Sequence, residues 1–248
     1  MVFGLVATFA VSASTGSPEQ ATATAAPIAP RAKLDEALLL ASELKYDAAI
    51  TAFEGVKAQH PEAITGLDGL KMVVVYAEVG NQAKHAELTR WLLERYRTPK
   101  TATDAERAVK GYIVRHGSND PTLLAEAVRM TSYASDHAAT DGEGQYQGFF
   151  DTSRGVAEYR VGRFAEAAKW FPKTIDHESL YVRSLALPFY AMTELALGNR
   201  AHAQELYARA QTTAADLPKP GSAEYAIDWT DILISRMVLK EAAAAFGR

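Results

Sequence analysis

From Arg31 onward, apolar residues recur at intervals of three and four, the spacing that puts side chains on one face of an α-helix. No stretch alternates apolar and polar positions at period two for long enough to make a strand. Helix breakers interrupt this pattern at His60-Pro61, Gly80-Asn81, Thr98-Pro99, Gly117-Ser118, Asp120-Pro121, 141–144, Gly162, Gly198-Asn199 and 217–221. Several boundaries carry capping chemistry. Thr103 followed by Glu106 reads as a capping box, and Asp120 before Pro121 as an N-cap with proline at the first helical position. Asp228 followed by Asp231 looks similar within the last segment. Gly80 and Gly198, each followed by Asn, suit the left-handed ending of a helix. The expected architecture is all-α with about ten or eleven helices.

Two segments align with each other, Arg154 to Thr174 and Tyr190 to Ala210. Gly162 pairs with Gly198, Ala167 with Ala203 and Phe171 with Tyr207 at an offset of 36 residues. Lys33 to Pro61 shows the same grammar through Ala37, Leu40, Tyr46, Ala49 and Phe53. Val73, Tyr76 and Gly80 give a weaker copy, with His85 where a small residue is expected. Packing explains the grammar. A small residue lets two helices approach closely, and an aromatic four residues later on the same face fills the gap to the next pair. No pair buries its apolar face alone, so the pairs must stack. We expect four repeat-like pairs, an irregular middle near Thr101 to His137 and a terminal capping helix.

The segment Tyr159-Arg160-Val161-Gly162-Arg163-Phe164-Ala165-Glu166-Ala167 resembles the turn of a tetratricopeptide repeat. Around it stand Leu92 to Tyr96, Thr103 to Lys110, Asp228-Trp229 and Leu239 to Ala242. Their order resembles the C-terminal repeat region of large serine/threonine protein kinases in bacteria such as planctomycetes and verrucomicrobia. The resemblance spans roughly Lys33 to Phe246. It implies a right-handed α-solenoid of tetratricopeptide-like helix pairs that binds a protein or peptide in its concave groove, as the sensor or scaffold part of a signalling protein. The alternatives are a structural spacer of an envelope-attached assembly, or a fragment of a larger kinase. The kinase signatures themselves are missing from this sequence: no Gly-rich phosphate loop on a strand, no strand lysine, no His-Arg-Asp loop and no Asp-Phe-Gly. The expectation is a chain that is not an enzyme.

Composition narrows this further. A net charge of -4, with both signs mixed along the chain, lacks the basic stripe that nucleic acid requires. With no cysteine there is no disulfide, thiol nucleophile or thiolate zinc site. Residues 1–14 form an apolar leader too short to span a bilayer as a helix. It reads as a signal-like segment, the remnant of a membrane segment, or a plain hydrophobic leader. Residues 15–32 read as a flexible Ala/Thr/Pro linker, and 33–248 as the helical-repeat domain. Any membrane contact is expected through the leader alone. The chain is then extracytoplasmic or membrane-tethered, or cytoplasmic if the leader is not a signal.

Candidate chemistry is sparse. None of the six histidines has a partner at metal-ligand spacing, and most fall near predicted helix ends, which suits solvated or end-capping roles. Asp141-Gly142-Glu143-Gly144 lacks calcium-loop spacing and reads as a flexible connector. No serine sits in a GxSxG elbow, and no cofactor or metal is expected. Asp228-Trp229 reads as an end-cap that packs the last helix on the preceding pair. The first helices of the pairs line the groove of a solenoid. That makes Phe149, Phe150, Tyr159, Arg160, Tyr181 and Arg183 the candidate partner-binding residues, since aromatic and arginine side chains anchor interfaces. The resemblance implies that a tetratricopeptide groove gripping a chaperone's C-terminal carboxylates would carry Asn with Lys/Arg on its first helices; these helices carry no Asn, so that partner class is not expected.

Overall fold

The computed structural model describes residues 29–247 except 116 and 118. The leader at 1–14 and nearly all of the linker lie outside the described residues. The described part is all-helical, with no strand. In chain order the α-helices are α1 (Pro30–Ser42), α2 (Tyr46–Gln59), α3 (Gly66–Glu78), α4 (Gln82–Arg95), α5 (Ala102–Ile113), α6 (Pro121–His137), α7 (Gln147–Arg160), α8 (Phe164–Ala167), α9 (Leu180–Ala196), α10 (Arg200–Ala215) and α11 (Ala223–Ala245). Helix α1 begins at Pro30, inside the span read as linker, because proline at the first helical position loses no helical hydrogen bond.

Short polar side chains cap α3, α4, α5, α6 and α11. Thr65 and Asp68 form a reciprocal capping box on α3, and Asp120 accepts from the Thr122 and Leu123 amides on α6. The start of α5 differs from expectation. Its cap is Thr101, whose hydroxyl accepts from the Asp104 amide at 3.1 Å, two residues before the expected Thr103. Thr103 instead donates its amide to Glu143 at 2.7 Å, and Glu106 is buried. The carboxylate of the presumed flexible connector thus sits at the positive end of α5. Asp228 does not start the last helix either. Ser222 caps α11, and Asp228 marks a kink within it (φ -109°, ψ 17°).

One turn joins the two helices of four of the pairs. Leu44, Gly80, Gly162 and Gly198 all adopt left-handed backbone, with φ of 63°, 73°, 76° and 87°. After each, the next amide bonds back to the carbonyl five residues earlier: Lys45 to Leu40, Asn81 to Tyr76, Arg163 to Glu158 and Asn199 to Glu194. This is the six-to-one bond that closes a helix around a left-handed residue. Five positions after each turn residue comes a buried Ala49, His85, Ala167 or Ala203, and nine after comes a buried Phe53, Thr89, Phe171 or Tyr207. At the first turn Leu44 takes a conformation that glycine adopts freely and other residues adopt at a cost.

The helices pack as five successive pairs: α1 with α2, α3 with α4, α5 with α6, α7 with α8, and α9 with α10. The first helices also meet one another, α1 on α3, α3 on α5, α5 on α7 and α7 on α9. The middle section is therefore a regular pair rather than an irregular stretch. Its two helices are joined by a longer connection than those of the pairs that share the turn. The opposite surprise is α8. It belongs to the copy that resembles the repeat best, yet it is a single turn followed by a 3-10 turn at Phe171–Lys173. Pro172 explains this, since it offers no amide to continue the helix. Phe171 is nonetheless fully buried, lying where a Cβ on Gly155 would come within 2.8 Å of its ring. Gly111 is equally tight, with Val73 2.7 Å from where its Cβ would stand, which brings α3 and α5 close together.

His85 departs from the end-capping role expected of the histidines. It lies within α4, 2% exposed, with Nε2 donating to the Gly111 carbonyl at 3.1 Å and its ring stacked on Tyr112. Burial, with a smaller push from Arg115, drives its pKa from 6.5 down to about 4.

Two outcomes follow from these local features. Leu44→Gly should raise stability by about 1 kcal/mol, because it relieves left-handed strain at a half-exposed site; a lower urea midpoint would contradict this account of the turn. Above pH 6.5 His85 is neutral whether folded or unfolded. Between pH 6.5 and 4 the unfolded chain binds a proton that the folded chain refuses, so stability falls as pH falls through that window. The effect should reach about 3 kcal/mol at most. Urea titrations of His85→Gln, which keeps a donor for the Gly111 carbonyl, should show a shallower acid decline than the parent.

Candidate functional site

The face formed by the first helices is the one expected to line an open groove. In the structure α11 covers much of it, packing on α9, α10, α3 and α1. Polar contacts fasten it along its length. Tyr181 Oη donates to Asp228 at 2.6 Å, the Ser184 and Ser235 hydroxyls are 2.6 Å apart, and Lys110 of α5 lies 3.6 Å from Asp231. The strongest fastening is Arg160 at the end of α7. Its Nη1 and Nη2 grip Glu241 at 2.5 and 2.7 Å, its Nε donates to the Ile113 carbonyl at 2.6 Å, and its guanidinium lies 4.9 Å from the Phe189 ring centroid. Both charged side chains are buried, 7% and 6% exposed. A planar fork matched to a carboxylate is the form in which a buried charge is best tolerated.

Most of the six candidate residues are thereby engaged within the chain. Arg160 and Tyr181 hold α11. Tyr159 packs against Phe164 and Phe189 with centroid distances of 5.4 Å each. Arg183 donates to the His177 and Glu178 carbonyls at 2.6 and 2.8 Å, closing the loop before α9. Phe150 is in the core at 2% exposure. Phe149 and Phe150 are the two that also line a pocket.

That pocket, about 260 Å³ in volume, is bounded by α3, α5, the start of α7 and the first half of α11. Leu67, Leu70, Phe149, Phe150 and Ile227 supply its apolar wall. Deep in it lies an ionic group. Lys110 Nζ is 3.2 Å from Glu106 and 4.9 Å from the Phe149 ring centroid, while Glu106 also accepts from Ser153 at 2.9 Å. Burial alone would push the Lys110 ammonium down, but the carboxylates of Glu106 and Asp231 outweigh it and hold the pKa above the ordinary lysine value. An ammonium held that firmly is a fixed charge rather than a base or a Schiff-base nucleophile. Lys71 and Arg107 line the same pocket, and neither makes an ion pair among the described residues. Thr230, 7% exposed, also lines the pocket, and its buried hydroxyl has no hydrogen-bond partner.

Of these residues, Glu106 and Asp231 were read from sequence only as capping residues, and Lys71, Arg107, Lys110 and Thr230 were given no role. One signal was available. Glu106 and Lys110 stand one turn apart among Ala105, Ala108, Val109 and Tyr112, so an ion pair runs along an otherwise buried face of α5. Among the described residues no group of three His, Asp or Glu side chains is placed to hold a metal, and no helix is long and apolar enough to cross a membrane. In comparisons with known proteins the chain matches no family model, no curated protein and no solved structure.

The Arg160–Glu241 pair can be weighed by a double-mutant cycle. Arg160→Met should cost about 3–5 kcal/mol, because it leaves the Glu241 carboxylate buried without its guanidinium. Adding Glu241→Leu should return most of that stability. If the two losses instead add in chemical denaturation, the pair does not act as a unit.

Proposed function

We propose that this protein is a non-catalytic interaction module of the tetratricopeptide kind, the sensor or scaffold part of a signalling protein. The helix pairs would form a right-handed α-solenoid, and α11 would lie in its groove. The observation that carries this reading is the turn repeated at Leu44, Gly80, Gly162 and Gly198, with the same hydrogen bond and the same two buried positions after each. It ties the resemblance to a packing device rather than to shared residues alone. The binding reading draws support from the pocket, where apolar walls and charges without ion-pair partners meet on the part of the first-helix face that α11 leaves open. The non-catalytic reading draws support from the buried ionic groups, which are committed to one another. In this reading the pocket receives the input. A protein or peptide partner engages the surface around it, where Tyr146 and Ile227 stand 45% and 74% exposed.

Co-purification and reconstitution test it. A single protein partner should bind the full chain in a stoichiometric complex by light scattering. Tyr146→Ala with Ile227→Ser should weaken that complex by about tenfold or more at unchanged melting temperature. No stoichiometric partner, together with an elongated rigid particle in solution scattering, would favour a structural spacer.

A further inference from the structure

The charges that line the 260 Å³ pocket can be counted against their partners. Six ionic side chains line it: Lys71, Arg107 and Lys110, and Glu106, Asp228 and Asp231. Glu106 and Lys110 satisfy each other at 3.2 Å, with both side chains 6% exposed. Asp228 accepts the Tyr181 hydroxyl. What remains is unequal in place and opposite in sign. Lys71 and Arg107, from α3 and α5, carry positive charge with no ion pair among the described residues. Asp231, from α11, touches only the already paired Lys110, at 3.6 Å, and its side chain is 35% exposed. Beside it the Thr230 hydroxyl is buried without a partner. Buried hydroxyls without partners are uncommon in folded proteins, and a polar ligand is one thing that satisfies them.

Taking this pocket as the input site of the interaction module proposed above, we infer that it binds the zwitterion of an α-amino acid with a branched or aromatic side chain. The carboxylate is held by the planar fork of Arg107 and the ammonium of Lys71. The ammonium is held by Asp231, with Thr230 within the same wall. The side chain lies against Leu67, Leu70 and Phe149. Size agrees with this class. A cavity of about 150 Å³ accommodates a benzene ring, so 260 Å³ leaves room for a ring or branched chain plus the amino-acid head. A ligand with only one charge would meet either the two cations or the Asp231 carboxylate, which shares Lys110 with Glu106, so the pocket should select for both charges together.

Isothermal titration of the full chain with L-phenylalanine and L-leucine tests the inference. Each is compared with its N-acetyl form, which lacks the ammonium, and its amide, which lacks the carboxylate. Saturable one-to-one binding of a parent amino acid is expected, weakened about tenfold or more by either modification. Arg107→Gln should weaken the parent by a similar factor while leaving the already weak amide nearly unchanged. Asp231→Asn should do the same for the parent and spare the N-acetyl form. Because Asp231 also neighbours Lys110, Lys71→Ala serves as the variant that breaks no internal pair, and it should behave like Arg107→Gln. Equal affinity for the N-acetyl or amide form overturns the inference, as does no saturable binding by either amino acid. A protein partner that still binds under that second outcome leaves the interaction-module reading standing. Conversion of the bound amino acid would overturn the non-catalytic reading instead.

Discussion

The Arg160 guanidinium is the point where three helices are tied together. It belongs to α7, donates to the last carbonyls of α5, and grips Glu241 near the end of α11 through both terminal nitrogens. A stack of helix pairs buries the faces between pairs but leaves the common face of the first helices to be covered by something else. Here α11 covers it, and a ladder of polar contacts from Asp228 to Glu241 sets its register. Aliphatic packing alone permits a helix to slide by a turn at modest cost. A buried bidentate ion pair does not, because any slip leaves two charges desolvated and unmatched. The ion pair therefore specifies where α11 lies as much as it adds to stability.

That specification has a consequence at the other end of the helix. Glu241 and Ser235 are held by α7 and α9, whereas the chain bends at Asp228, just where the pocket begins. The first turns of α11 combine Tyr225 and Trp229, both 2% exposed, with polar contacts to Tyr181 and Lys110. A helix anchored at its C-terminal half and bent near its start presents Asp228, Thr230 and Asp231 to a pocket whose opposite walls belong to α3 and α5. Whatever fills the pocket then touches both the anchored array and the bent segment, which is the arrangement a sensor needs if occupancy is to alter the surface around Ile227.

Much of the fold was legible because turns are local. Three of the four left-handed positions are glycines, and Asn81 and Asn199 follow two of them. Leu44 was not legible because leucine rarely adopts that conformation, so its role shows only in its backbone and in the matching Ala49 and Phe53. The α5 start was misplaced by two residues because Thr101 and Thr103 are equally good capping side chains. The choice was made elsewhere, by Glu143 reaching the Thr103 amide and by Glu106 being drawn inward to Lys110. In α8 the repeat grammar was correct at Ala167 and Phe171, yet Pro172 ended the helix, so buried positions survived where helical geometry did not.

The candidate site was harder to read, and the reason is distance along the chain. The candidates taken from the first helices were aromatic and arginine side chains, most of which are engaged within the chain. Their partners are Asp228 and Glu241, on a helix whose sequence suggested an end-cap and nothing more. Once α11 lies across that face, Arg160 and Tyr181 are fastenings of the chain, and among the charges that line the pocket Lys71 and Arg107 make no ion pair among the described residues. Lys71 and Arg107 look like ordinary solvated charges in sequence. Only the arrival of Asp231 from the far end of the chain encloses them in a pocket, where lacking an ion pair costs more than it would in water. The local rules of the helix pairs thus account for the helices and their turns, while the closure by α11 places Asp231, paired with Lys110, in one pocket with Lys71 and Arg107.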